Sequence, residues 1–309
     1  MLKVSRGTTA AYLAPMFITI ALVSGTPIVY TLYLSLTNLS LFNDDYTLRG
    51  LGNYQKLFFA TDSDLLYVLG QTVLYVIICV VLFLVVGMLT ALALNNRKIK
   101  GQAFWRVALL VPWAAPSAIT ALIWKFLFNY DFGPINQIGR VFFGRNFGVP
   151  WVTSPWWAFA AVVMVNVWLT YPFFTVVILG ALQSVPEELH EAARVDGANA
   201  WRRFFSVTLP LVRPAITPAA ILSAITTFQM FNTVFLITSG GPTPDPSRPG
   251  FTEFVMIYMY NRVVGANVAN VHYAQIAAFA ITVFIVLGAL TFFARSLGQQ
   301  RTRRKEALA

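Results

Sequence analysis

The segment YVIICVVLFLVVGMLTALAL, Tyr75 to Leu94, is twenty residues without an Asp, Glu, Lys or Arg. At about 1.5 Å per residue, a helix of that length matches the ~30 Å hydrocarbon core of a bilayer. A closed β-barrel, the other spanning solution, is built from short segments of alternating polarity, which this run is not.

Working outward from it, six charge-free runs of at least 18 residues cover 7–43, 65–96, 107–124, 146–186, 214–244 and 263–294. The chain is 57% hydrophobic and 11% charged over 309 residues, against roughly 25% charged for a soluble domain. It therefore reads as an all-α integral membrane protein with six transmembrane helices, expected at about 10–36, 68–94, 105–128, 157–182, 210–238 and 273–294. The first apolar run follows Lys3 and Arg6, as a secretory signal would, but exceeds the 7–15 apolar residues of such a signal and is expected to be a retained helix. Cys79 is the only cysteine, so no intrachain disulfide can form; it reads as a packing or lipid-facing residue.

Basic residues orient the spans. With both termini cytoplasmic, Lys3, Arg6, Arg97, Lys98, Lys100, Arg106, Arg194, Arg202, Arg203, Arg213 and the tail residues Arg295, Arg301, Arg303, Arg304 and Lys305 lie inside, which is 15 of 22. That asymmetry satisfies the positive-inside rule. Seven of twelve acids then face outward. The net charge of +10 follows from this bias, strengthened by attraction of the tail RTRRK to anionic lipid, and nucleic acid is not an expected partner. The single transmembrane domain is placed at 10–294, after a cytoplasmic N-terminus at 1–9 and before a basic cytoplasmic tail at 295–309, with a cytoplasmic loop at 183–209.

That loop reads SVPEELHEAARVDGANAWRRFFSVTLP. Ser184 and Glu187 fit a capping box, with Pro186 in the first turn. The helix is expected to break near Asp196 and Gly197, and a second helix to run from Ala198 to Phe205. Ala192, Ala193, Ala198 and Ala200 permit close approach of another surface. An amphipathic hairpin on the lipid headgroups is the alternative, but the loop lacks the apolar stripe and lysine-rich face of an interfacial helix.

The pattern EAA-x3-G-x9-I-x-LP is met here by Glu191, Ala192, Ala193, Gly197, Val207, Leu209 and Pro210, with valine in place of isoleucine; Asp196, Ala198 and Pro214 match its carbohydrate version. The chain thus resembles the binding-protein-dependent ABC importer permeases of the carbohydrate, maltose-type family. The segments LVPWAAPSAITALIWKFLFNYDFGPIN, VNVWLTYPFF and TSGGP extend that resemblance along the chain, and TSGGP is similar to the first of two paired permease subunits. The extra N-terminal helices and large outer insertion of some members are expected to be absent.

The resemblance implies a type I importer permease in the prokaryotic cytoplasmic membrane, moving sugar by alternating access. Its implied partners are a second permease subunit, a cytoplasmic ATPase dimer and an extracytoplasmic sugar-binding protein. The EAA loop would be the coupling helix docked on the ATPase through Glu191, Ala192, Ala193, Asp196, Gly197, Ala198, Leu209 and Pro210. ATP and magnesium would sit on that partner and no cofactor on this chain. None of the six lysines follows a glycine, so no P-loop is present.

Polar residues at mid-membrane depth need a reason. Trp113 and Ser117, then Asn166, Thr170 and Phe173, then Gln229 and Asn232 recur at helical spacing on spans three, four and five. An aromatic ring can stack on a sugar face while amides and hydroxyls bond its OH groups, and the family resemblance implies sugar contacts at these seven positions. Ser117, Asn166 and Thr170 also suit interhelical hydrogen bonding. Pro112, Pro116, Pro172 and Pro218 mark either cavity-lining irregularity or simple kinks. His190 and His272 read as solvent or interface residues rather than metal ligands. The expected spans contain no acid, which argues against a proton relay; a neutral sugar is expected, and the resemblance implies maltose, a malto-oligosaccharide or trehalose. An ion-coupled carrier or channel is the alternative; a membrane enzyme lacks a reactive motif.

Overall fold

The computed structural model describes residues 6–40, 47–60, 64–96, 98–243, 245, 248–264 and 272–306. All regular elements among them are helical; an isolated bridge pairs Thr37 with Leu48. In chain order they are α1 (Arg6–Ile20), a π-turn (Ala21–Gly25), α2 (Thr26–Ser35), α3 (Gly52–Phe59), α4 (Leu65–Asn95), α5 (Gln102–Ala114), α6 (Ser117–Leu127), α7 (Pro134–Phe143) and α8 (Pro155–Gln183). Next come α9 (Glu187–Val195), α10 (Ala200–Arg203), a second π-turn (Phe204–Thr208), α11 (Leu209–Phe228), α12 (Asn232–Thr238), α13 (Val255–Val264) and α14 (Tyr273–Glu306).

Four helical stretches are long and apolar enough to cross a membrane: Gly7–Ser35, Leu65–Asn95, Pro155–Gln183 and Ala200–Phe228. A fifth candidate is the broken pair α5 and α6, bent by 93°, and Tyr273–Ala289 is a shorter apolar helix. Two compact units are distinguished. The first combines residues 1–65 with 259–309. Within it α2 and α3 pack on α14, and buried Asn53 donates through Nδ2 to the carbonyls of Ser35 and Thr37 at 2.8 and 2.7 Å. Arg262 closes on Asp64 at 2.7 Å.

The second unit, residues 66–258, carries the regions of functional interest. Tyr75, Cys79 and Phe83, spaced i, i+4, i+8 on α4, are fully buried because a helix returns to one face at that spacing. Gly87 continues the face: a Cβ there would come within 2.6 Å of the Cβ of Phe174 on α8. One turn on, the hydroxyls of Thr90 and Thr175 meet at 2.5 Å. Helix α8 also packs against α5, α6, α11 and α12.

Two expected helices differ from the sequence reading. The stretch expected at 105–128 is not one rod. Pro116 disfavours helical backbone at the residue before it, and Ala115 is extended at φ −74°, ψ 137°. Pro172, by contrast, lies inside an unbroken α8. The stretch expected at 210–238 instead begins as helix at Ala200, runs through the π-turn to Phe228, and breaks at Gln229–Phe231 before α12. No proline or glycine announces that break; Thr233, Val234 and Ile237 are buried as α12 packs on α6 and α8.

Candidate functional site

The loop helix α9 starts two residues later than the capping box predicts. Ser184 is the C-cap of α8 and its hydroxyl donates back to the Ala181 carbonyl at 2.8 Å, while Pro186 takes the N-cap position without a side-chain cap. Proline bars helical backbone at Val185 and so separates the two helices. Glu187 and Glu188 in the first turn and Arg194 in the last complement the helix dipole.

The C-terminus of α9 explains the motif's spacing. Gly197 adopts φ +74°, its N–H donates to Arg194 O at 3.0 Å, and Ala198 N–H donates to Ala193 O at 2.9 Å. This is a Schellman closure. The second alanine of the EAA triplet supplies its acceptor, and the glycine supplies the left-handed residue. Two further residues, of which Asn199 is not singled out from sequence, fix the start of α10. Asn199 caps that helix by accepting from Arg202 N–H at 2.8 Å, and Arg203 Nη1 donates to the Ala198 carbonyl at 3.0 Å. Asn199 has a readable signal, an N-cap residue type one position before a helix.

The loop presents an exposed surface. Glu191, Ala192, Asp196, Gly197 and Pro210 are exposed, and Ala193, Ala198 and Leu209 are half-buried. Among apolar side chains, Val195 is 88% and Trp201 74% exposed. The expected second helix, from Ala198 to Phe205, is not a separate element: α10 and the π-turn continue directly into α11.

The seven mid-membrane positions divide into two groups. Trp113 at the end of α5 and Phe173 on α8 come together, with ring centroids 6.2 Å apart. Trp113 is 57% exposed, and Ser117, Gln229 and Asn232 are exposed as well. They are not the helical pairs expected from spacing. The break at Ala115–Pro116 parts Trp113 from Ser117, which opens α6, and the second break parts Gln229, the C-cap of α11, from Asn232, which opens α12.

Asn166 belongs to the second group. It is fully buried, donates to the Cys79 sulfur at 3.6 Å and accepts from the half-buried Thr170 hydroxyl at 3.4 Å. Asn166 therefore bonds across to α4, Thr170 bonds only within α8, and Asn166 presents no surface to a ligand in the conformation seen. Cys79, fully buried, takes part in packing and does not face lipid. No group of three or more His, Cys, Asp or Glu that could hold a metal occurs among the described residues.

A platform of buried polar contacts is built by the segment between α6 and α8. Asn136, buried on α7, donates to the carbonyls of Tyr130 and Val149 at 3.2 and 3.0 Å and accepts from Val149 N–H and Trp151 Nε1 at 3.0 and 3.3 Å. Arg140 ties the same loop to the carbonyls of Tyr130, Asp131 and Phe147.

A helical membrane bundle with a capped loop of this form is the architecture of an ABC importer permease. The chain resembles the crystal structure of a bacterial alginate ABC transporter with a TM-score of 0.74 over 94% of both chains, at 18% identity, a likeness of fold alone. Residues 83–304 match the family described as binding-protein-dependent transport system inner membrane component. Over 295 residues the chain is 31% identical to the maltodextrin transport system permease protein MdxF of Bacillus subtilis, covering 92% of this chain and 67% of that one. It is 37% identical over 240 residues to the maltose/maltodextrin transport system permease protein MalF of Salmonella typhimurium, covering 76% of this chain and 44% of that one. The chain therefore belongs to the family of binding-protein-dependent inner-membrane transport components, and it spans less than half the length of the Salmonella relative. It is a multi-pass inner-membrane permease subunit.

Proposed function

We propose that this chain forms, with a second permease subunit, the translocation path of an ATP-driven importer for a neutral sugar of the maltose or malto-oligosaccharide type. It spans the membrane six times with both termini cytoplasmic. Substrate arrives from an extracytoplasmic binding protein, and the loop 183–209 couples the path to a cytoplasmic ATPase dimer through Glu191, Ala192, Ala193, Asp196, Gly197, Ala198, Leu209 and Pro210. The relatives' maltose and maltodextrin names support the sugar class.

The observation that carries the reading of the path is the pair of breaks, at Ala115–Pro116 and at Gln229–Phe231. Irregular backbone at membrane depth is tolerated where it lines a cavity or is enclosed by protein. Both breaks set polar or aromatic side chains beside them: Trp113, Ser117, Gln229 and Asn232. We assign these four and Phe173 to sugar contact, Thr170 to its margin, and Asn166 to holding α8 on α4.

The test is ATP-driven uptake of radiolabelled maltose by proteoliposomes holding the co-purified importer and its binding protein. Trp113→Ala and Gln229→Ala are expected to lose uptake while the complex still assembles. Uptake unchanged in both variants overturns the pocket.

A further inference from the structure

A cavity of about 250 Å³ lies between α5 and α8 at the end of the bundle that bears the loop 183–209, with Arg106, Leu109, Leu110, Thr175, Val176 and Gln183 in its lining. Its size falls just under the ~300–1,000 Å³ of sites that enclose drug-sized ligands, which suits a single sugar ring better than an oligosaccharide. The lining is apolar except at three residues. The Thr175 hydroxyl is already engaged by Thr90 and by the Tyr171 carbonyl. Arg106 and Gln183 are the other two, and the Arg106 Nε is buried with no hydrogen-bond partner among the described residues. No carboxylate lines the cavity. A buried donor left unpaired is costly, so a ligand that brings acceptor oxygens without needing full charge neutralisation fits it.

The cavity shares helix faces with the aromatic pair. Arg106, Leu110 and Trp113 recur at i, i+4, i+7 on α5, and Phe173, Val176, Gly180 and Gln183 at i, i+3, i+7, i+10 on α8, spacings that keep each set on one face. Trp113 and Phe173 meet at 6.2 Å, and from there the stripe descends about 15 Å along α8 to Gln183. Gly180 is exposed and a Cβ there would meet nothing within 4 Å.

We propose that Arg106 and Gln183 form a second sugar station, on the cytoplasmic side of Trp113 and Phe173, which binds one sugar ring as it leaves the path. Arg106 donates to ring and hydroxyl oxygens, Gln183 both donates and accepts, and Leu109, Leu110 and Val176 cover the apolar ring face. The station rests on the proposal that this chain forms a sugar path.

The test uses the complete importer in proteoliposomes with Gly180→Cys. Cys79 is fully buried, so the introduced thiol is the accessible one on this chain. Maltose, present on both sides without ATP, is expected to slow maleimide labelling by up to about threefold at twice its dissociation constant, by mass action. Arg106→Met is expected to lose that protection, and Arg106→Lys to restore part of it. Val176→Cys serves as a second reporter if Gly180→Cys assembles poorly. ATP-driven maltose uptake with no protection at either reporter overturns the station and leaves the path reading standing. Labelling that tracks phosphatidylglycerol content and ignores maltose overturns it in favour of a lipid phosphate on Arg106. No ATP-driven uptake of maltose by the unmutated complex overturns the path reading, and the station with it.

Discussion

Gly87 and Gly70 lie on the same face-forming helix and have opposite surroundings. A Cβ on Gly87 would sit 2.6 Å from that of Phe174, whereas one on Gly70 meets nothing within 4 Å. Gly87→Ala is expected to destabilise the detergent-solubilised protein by about 1–3 kcal/mol, as overpacking does. Gly70→Ala is expected to be neutral or stabilising by roughly 0.5–1 kcal/mol, since a helical glycine costs about that relative to alanine. Thermal unfolding of the two variants side by side reads the difference in sign. Asn136→Ala leaves Val149 N–H and the Trp151 indole N–H without the acceptor they share, at about 1–3 kcal/mol for each group that stays buried and unpaired. Faster proteolysis between α7 and α8, with a change in tryptophan emission, is the expected signature. At this scale the sequence is only partly readable. Aromatic type and depth place Trp113 and Phe173 together, but Asn166 turns inward, since a polar residue serves an interhelical bond and a ligand equally well and composition cannot separate the two.

At the scale of elements, the charge-free runs announce most helices because a bilayer demands unbroken apolar length. The breaks are harder to read. Pro116 and Pro172 look alike in sequence, yet the first interrupts helix and the second does not, and the break at Gln229 carries no proline at all. Local preference is weak there, and packing of α12 against α6 and α8 decides it. Pro116→Ala removes the bar on helical backbone at Ala115. It is expected to straighten the turn between α5 and α6 and to reduce maltose uptake without loss of ATPase association; wild-type uptake in this variant would show that the bend is not needed for transport. The loop helix is legible in its motif, though its start is not. Ser184 fits a cap by spacing, but Pro186 hands it to the end of α8 instead.

For the whole molecule, the basic residues carry the topology. In the proposed topology, with both termini inside, 15 of 22 Lys and Arg would face the cytoplasm, as the positive-inside rule requires. Protease is therefore expected to cut the basic tail at 295–309 in inside-out vesicles and to spare it in right-side-out ones; the reverse pattern would invert the topology. The sugar itself is not legible, because a mixture of amides, hydroxyls and aromatics suits many neutral sugars.

The central claim is that transport by this chain is driven through the loop that closes on Gly197. Its most direct test is ATP-driven maltose uptake by the reconstituted importer with Gly197→Asp. A side chain at φ +74° costs about 1–2 kcal/mol in the left-handed region, less for Asp than for most residues, and it adds charge to the exposed end of α9. The expected result is loss of uptake together with weaker co-purification of the ATPase. Solute movement by the purified chain alone, without ATP, or full uptake by the Gly197→Asp complex, would contradict the account.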